Sequence, residues 1–304
     1  MKIVSVDNVY IYPKHIKQLE TFGEVIIYHN IPSEMDGIKR IIDADIVIDN
    51  WYEMPARVIA SALKLKLIAV AATGYEWIDL AEVNKHNITV CNSPAYATEA
   101  VAEHTIGLML NAIHLASSAE YNLRKGEWNP LKYKGIELKN KSLAIIGYGT
   151  IGKRIANIAQ AGFGMKVNYI NSSSSTEDLH KSLSISDIIS VNLPLNNKTR
   201  NFIGKNEFTL MKNDVVIVNT GRGATINEEA LINNLKSKKI FAAGLDVFSK
   251  EPLNRDNPLF SFTNVTMTPH IAFNTKESEF RLSKIVTDNI VGYLNGKPQN
   301  VINK

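Results

Sequence analysis

Apolar residues fall along this chain in short β-branched runs, separated by segments with the spacing of helices. The first series is "KIVSV" 2–6, "EVIIY" 24–28, "DIVIDN" 45–50, "LKLIAVAA" 65–72 and "ITVCN" 88–92. Runs that are continuously apolar and alternate with helices predict βαβ units, with a parallel sheet covered on both faces. This series ends near Pro94. The segment "ATEAVAEHTIGLMLNAIHLASSAEYNLRKGEW" 97–128 then proceeds without a proline. Its apolar spacing and the early acids Glu99 and Glu103 predict one long helix.

A second series restarts with "KSLAIIGYGTIGKRIANIAQ" 141–160 and continues through "MKVNYIN" 165–171, "DIISVNLP" 187–194, "DVVIVNT" 214–220, "FAAGLDV" 241–247 and "NVTMTPH" 264–270. Helices fit between these strands, as at "NEEALINNLKSK" 227–238, and the tail 276–296 reads as a further helix. The predicted class is α/β, with two doubly wound parallel-sheet domains. No short-period repeat is present.

Composition narrows the class. The chain has 304 residues, 45% hydrophobic and 21% charged, enough for two cores, which argues against disordered and fibrous classes. Thirty-four basic residues against 30 acidic ones leave a net charge of +4. The excess is spread in short clusters such as Lys64–Lys66 and Lys236–Lys239, which read as solvated faces rather than a nucleic-acid patch. The single Cys91 reads as a small buried apolar residue, and one cysteine allows no internal disulfide. A reducing, cytoplasmic compartment is the expectation, with no stretch of about 18 apolar residues to cross a membrane. The seven histidines are scattered without metal-ligand spacing, so no metal site is expected.

The chemistry concentrates at predicted strand ends. "IIGYGTIG" sets Gly147, Gly149 and Gly152 as G-x-G-x-x-G between an apolar strand and a helix, which predicts dinucleotide binding. The glycines allow the tight turn, the approach of a pyrophosphate and helix–strand packing. In "VNTGRG" 218–223, Arg222 stands between two glycines, where a guanidinium can clamp a carboxylate by two hydrogen bonds. "LDVFSKEP" offers Glu251 and "TMTPHIA" offers His270. A histidine serves as acid and base near neutral pH when a partner such as glutamate orients its other nitrogen and favours its charged form.

Together these stretches resemble the D-isomer-specific 2-hydroxyacid dehydrogenases over essentially the full length. The resemblance rests on "AATGYEWIDL" 71–80, "ATEAVAEHTIGLML" 97–110, "IIGYGTIG" 145–152, "NTGRG" 219–223, "GLDVFSKEP" 244–252 and "TPHIA" 268–272, in the family's order. It implies a flavodoxin-like substrate domain formed by residues 1–96 and 274–304, and a Rossmann dinucleotide-binding domain formed by residues 97–273. It implies hydride transfer from a reduced nicotinamide to a 2-oxo acid. Arg222 would hold the substrate, His270 would supply the proton and Glu251 would keep the imidazole protonated and aligned. Backbone amides around Thr73, Gly74 and Tyr75 would complete the carboxylate site in the cleft. Trp51 and Tyr52 would either wall the substrate or pack within their own domain.

The cofactor positions carried over from the family are Gly147, Gly149, Thr150, Ile151 and Gly152 in the loop, then Asn171, Ser172 and Ser173 at the adenosine ribose. Leu193, Pro194, Thr199, Thr220 and Gly221 follow, with Asp246 on the nicotinamide amide and Thr105 facing its pocket. Family members usually keep an acid where this chain has "NSSSS" 171–175. Asn171 removes the charge that repels a 2′-phosphate, and serine hydroxyls donate to phosphate oxygens, so NADP(H) is expected over NAD(H), with Lys153 or Arg154 as the cation.

The tyrosines in "AATGYEWIDL" and "CNSPAYATEA" are similar to those of glycerate dehydrogenases and of hydroxypyruvate and glyoxylate reductases. A small 2-oxo acid is therefore the expected substrate. Two alternatives stay open: a phosphoglycerate dehydrogenase type without a regulatory domain, and a dinucleotide-sensing, corepressor-like binding protein. The ends of the chain lie close to the two domains, which favours an enzyme. The resemblance also implies a homodimer through the 97–124 helix region, with neither nucleic acid nor membrane as partner.

Overall fold

The computed structural model describes residues 1–303 and contains two compact units, Met1–Ala97 with Asn274–Lys304, and Thr98–Phe273. In the first unit the strands are β1 (Lys2–Ser5), β2 (Glu24–Ile27), β3 (Ile46–Asp49), β4 (Leu67–Val70) and β5 (Thr89–Cys91). They pair in the order β2-β1-β3-β4-β5, every pair parallel. Helices α1 (Pro13–Glu20), α2 (Glu34–Ile41), α3 (Ala56–Ser61) and α4 (Leu80–Lys85) make the crossovers. Val47, Ile68, Val70 and Val90 sit at 0% exposure in the core, as expected of strands covered on both faces.

The second unit opens with α5 (Thr98–His114) and α6 (Ala116–Arg124). Its sheet has β6 (Ser142–Ile146), β7 (Lys166–Ile170), β8 (Ile188–Val191), β9 (Val215–Asn219), β10 (Ile240–Leu245) and β11 (Val265–Met267), ordered β11-β10-β9-β8-β6-β7. Helices α7 (Thr150–Phe163), α8 (Thr176–Ile185), α9 (Lys205–Leu210) and α10 (Glu228–Lys236) connect these strands. The last helix, α11 (Lys276–Leu294), returns to the first unit. The expected α/β class of two doubly wound parallel sheets is what the chain adopts. In each sheet the strand order reverses once, between β1 and β3 and between β6 and β8, the place where ligands of such sheets bind.

One expectation fails. The single long helix is two helices, broken at Leu115, whose backbone is left-handed with φ 53°. The cause is local: Asn111 Oδ1 accepts both the backbone N–H and the hydroxyl of Ser117, at 3.0 and 2.9 Å, which draws the chain out of the helical path. Ala102, Ile106, Met109 and Ile113 of α5 are buried in the second unit's own core, beside Leu143 and Ile145 of β6. Among the described residues, no helix is long and apolar enough to cross a membrane.

Candidate active site

Strand ends of the second unit bring the expected polar groups together. The loop after β10 carries Glu251, and the turn after β11 carries His270, whose Nδ1 lies 2.7 Å from Glu251 Oε2. Glu251 Oε1 accepts the Phe248 backbone N–H at 2.9 Å, so both carboxylate oxygens are engaged. Burial pushes the Glu251 carboxyl upward, but His270, the Phe248 N–H and the nearby Arg222 charge outweigh it and hold the group below its ordinary range. A carboxylate on Nδ1 fixes the ring's orientation and favours its charged form.

Arg222 follows β9 in a loop tied by its own backbone. Its carbonyl accepts the Asn219 side-chain amide at 3.1 Å and the Thr225 hydroxyl at 2.6 Å. Its guanidinium reaches back to the Gly221 carbonyl at 3.0 Å. His270 adopts a left-handed backbone with φ 54°, which costs a non-glycine residue about 1–3 kcal/mol. Two bonds from its N–H offset that strain, to the carbonyls of Asp246 at 2.8 Å and Thr268 at 3.0 Å.

The glycine loop fits a dinucleotide. A Cβ on Gly147 would lie 2.7 Å from the Asn192 carbonyl, and one on Gly152 would lie 2.3 Å from the Gly147 carbonyl, so β6, β8 and α7 meet only through glycine. A Cβ on Gly149 would meet nothing within 4 Å, which leaves space at the N-terminus of α7. The buried Asn192 Oδ1 has no partner among the described residues, an acceptor turned toward no protein donor beside that cradle. Thr150 and Ile151 form the first turn of α7. Leu193 and Pro194 follow β8, and the Thr199 hydroxyl closes that loop on the Pro194 carbonyl at 2.6 Å. Gly221 lies against this segment, its Cβ position 2.9 Å from the Leu193 carbonyl.

Several expected contacts take another form. Thr105 is fully buried, its hydroxyl 2.6 Å from the Val101 carbonyl and 2.7 Å from the Thr220 hydroxyl. It supports Thr220 from within the protein and does not face a pocket. Asp246 is likewise at 0% exposure, and its carboxylate is taken up by the turn that carries His270: it accepts from the Thr268 hydroxyl and from the backbone N–H groups of Ile271 and Ala272. Arg154 pairs with Glu99 at 2.7 Å, so its charge is already committed, and Lys153 lies 5.9 Å over the Tyr148 ring. Asn171 Oδ1 accepts from the Ser173 backbone N–H at 2.9 Å and from the Ser173 hydroxyl at 2.7 Å, which folds the serine turn on itself. Ser172 is exposed on that turn.

In the first unit, the expected substrate loop follows β4. The Thr73 hydroxyl donates to the Ser93 carbonyl at 3.2 Å, the Thr73 carbonyl accepts from the Asn92 side chain at 2.8 Å, Gly74 is half-buried and Tyr75 packs at the core's edge. The two readings of Trp51 and Tyr52 separate. Trp51 is 40% exposed, whereas Tyr52 is 4% exposed, lies against Gly37 of α2 and donates its hydroxyl to the Glu34 carbonyl at 2.9 Å. Tyr52 is a core residue.

Sequence reasoning missed the buried acids beneath Trp51. Asp7 accepts the backbone N–H groups of Asn50, Trp51 and Tyr52, and Asp49 accepts those of Tyr52 and the Trp77 indole. Burial raises the Asp7 carboxyl against the pull of those N–H groups. Burial, then the neighbouring Asp7 charge, pushes Asp49 well above the ordinary carboxylate range. An acid inside the otherwise apolar run "DIVIDN" was the available signal.

Comparison with known proteins identifies the family. Residues 106–272 match the family described as D-isomer specific 2-hydroxyacid dehydrogenase, NAD binding domain. The chain is 38% identical to the hydroxypyruvate reductase of Blautia hydrogenotrophica, over 100% of both proteins. It is also 38% identical to the glyoxylate reductase of Aeropyrum pernix, over 97% of this chain and 94% of that protein. Its fold is similar to that of an acyclic imino acid reductase solved in complex with NADPH and D-Arg, with a TM-score of 0.91 and 32% identity over 99% of this chain and 100% of that one.

Proposed function

The chain belongs to the D-isomer-specific 2-hydroxyacid dehydrogenase family, and we propose that it reduces a small 2-oxo acid, hydroxypyruvate or glyoxylate, to the D-2-hydroxy acid, and runs the reverse reaction. The observation that carries the reading is the 2.7 Å contact of His270 Nδ1 with Glu251 Oε2, beside Arg222. The Gly147–Gly152 loop would hold the pyrophosphate of a dinucleotide whose reduced nicotinamide would supply the hydride. Arg222 holds the substrate's carboxylate and carbonyl oxygen by paired N–H groups. Glu251 keeps the imidazole on its Nδ1 side, and His270 Nε2 gives its proton to the oxygen as negative charge develops there. In the oxidation direction the same Nε2 takes the proton back.

We propose NADP(H) as the preferred cofactor. Asn171 is uncharged, Ser172 and Ser173 supply hydroxyls, and with Arg154 held by Glu99 the cation on this side is Lys153. Initial rates of cofactor oxidation with hydroxypyruvate and glyoxylate, using NADPH and NADH at equal subsaturating concentration, test both proposals. Turnover of either acid with faster NADPH use is expected. Failure with every small 2-oxo acid overturns the activity, and an NADH preference overturns the cofactor assignment.

We further propose a homodimer. Tyr121, Leu123, Trp128 and Leu131 are 57%, 53%, 82% and 91% exposed, an apolar surface on α6 and the segment after it. Light scattering should give twice the mass of the 33.8 kDa chain, and a 33.8 kDa particle would reject the proposal.

A further inference from the structure

The reaction scheme leaves His104 unused, although it stands behind the turn that carries His270. His104, on α5, places Nε2 3.0 Å from Thr268 Oγ1, and the Thr268 hydroxyl donates to Asp246 Oδ1 at 2.5 Å. That hydroxyl proton is spent on the carboxylate, so Thr268 accepts from the ring and His104 carries a proton on Nε2. The same nitrogen lies 3.6 Å from Asp246 Oδ1. A relay results: imidazole N–H to hydroxyl, hydroxyl to buried carboxylate.

What the carboxylate holds gives the relay its consequence. Asp246 Oδ1 accepts the Ile271 N–H at 2.9 Å, Oδ2 accepts the Ala272 N–H at 2.8 Å, and the Asp246 carbonyl accepts the His270 N–H at 2.8 Å. The turn that presents His270 in its left-handed conformation therefore converges on one residue. That residue is fully buried, where a carboxylate needs donors or an opposite charge nearby. Hydrogen bonds in such a chain polarise and strengthen one another, so losing the first weakens the last.

We propose that His104 is a positioning residue for the reduction: through Thr268 and Asp246 it fixes the 269–272 turn in the geometry that seats His270 on Glu251. The proposal rests on His270 being the proton donor. Near-attack placement is steep in distance, so a turn loosened by about 1 Å lowers the chemical step by up to about 100-fold.

The test compares His104→Leu, His104→Gln, Thr268→Val and the His104→Leu/Thr268→Val pair with the wild-type enzyme and with His270→Gln. Three readouts are kcat and KM for the 2-oxo acid, reduced-cofactor affinity by fluorescence, and amide exchange at Ile271 and Ala272. His104→Leu should lower kcat by about 10- to 100-fold. It should leave KM and cofactor affinity within about twofold and speed exchange at both amides by about tenfold. His104→Gln, which keeps an N–H at similar reach, should restore most of the rate. The double variant should be no slower than the slower single one, because both cut one relay.

Wild-type kcat and exchange in a folded His104→Leu would overturn the proposal, as would losses that multiply in the double variant. If His104→Leu does not fold, Thr268→Val and His104→Gln decide by the same readouts. An inactive wild-type enzyme, or a fully active His270→Gln, defeats the functional reading and this inference with it. An inactive His270→Gln beside a wild-type-like His104→Leu defeats the inference alone.

Discussion

Two loops, one in each unit, are held by the same device and differ in what stands behind it. After β3, the segment Asn50–Tyr52 is gripped by Asp7, a carboxylate that accepts three successive backbone N–H groups. After β11, the turn Thr268–Ala272 is gripped by Asp246, which accepts two backbone N–H groups and a hydroxyl. Both acids are completely buried. Behind Asp7 stands a second acid, Asp49, whose Oδ1 shares the Tyr52 N–H with it. Behind Asp246 stands His104. Two carboxylates in one buried site resist double ionisation, whereas an imidazole and a carboxylate support each other. Burial and the neighbouring acid push the first loop's carboxyls toward holding a proton, whereas an imidazole stands behind the turn that carries His270.

Removing each grip separately tests that contrast. Asp246→Asn should have the largest effect, because an amide turns an NH2 toward groups that themselves donate, and the His270 turn loses its seat. A fall in kcat of about 100-fold is expected, measured as cofactor oxidation at saturating 2-oxo acid. A variant within twofold of wild type would show that the turn holds itself. Asp7→Asn should cost about 2 kcal/mol of loop stability, read by denaturant unfolding, and change kcat less than Asp246→Asn does. A loss confined to kcat would assign the first loop the second loop's role.

The smallest effect separates the two acid environments by pH. The folded chain holds the Asp49 proton more tightly than the unfolded chain does, because burial and then Asp7 raise that carboxyl. Stability from this group is thus present at acidic pH and lost as pH rises from the ordinary carboxylate range through the raised folded value. Asp49→Asn does not titrate, so the wild-type minus variant difference in melting temperature should shrink steadily as pH rises from 5. An unchanged difference would mean that Asp49 is ionised throughout.

How far the sequence revealed this arrangement depends on the kind of interaction. The strands were legible because a sheet buried on both faces demands continuous apolar runs, as in Val215–Asn219 and Leu67–Val70. The glycine loop was legible because a Cβ at Gly147 or Gly152 has no room. The nearness of Glu251 to His270 was legible only through the resemblance, since nothing in their spacing brings two strand-end loops into contact. The break at Leu115 was not legible, because it depends on Asn111 capturing Ser117 across six positions. The burial of Tyr52 was hidden for a similar reason: Gly37, fifteen residues earlier, makes the room for its ring. Asp7, Asp49 and His104 read as ordinary polar residues until the fold shows which backbone groups and carboxylates they meet.

The central claim is that His270, seated on Glu251, delivers the proton when a 2-oxo acid is reduced. It is tested most directly by comparing single-turnover oxidation of bound NADPH by hydroxypyruvate in wild-type and His270→Gln enzyme, with cofactor affinity measured on the same samples. The account predicts a rate about 1,000-fold lower in the variant with cofactor affinity within about twofold. Equal rates in the two proteins would contradict it.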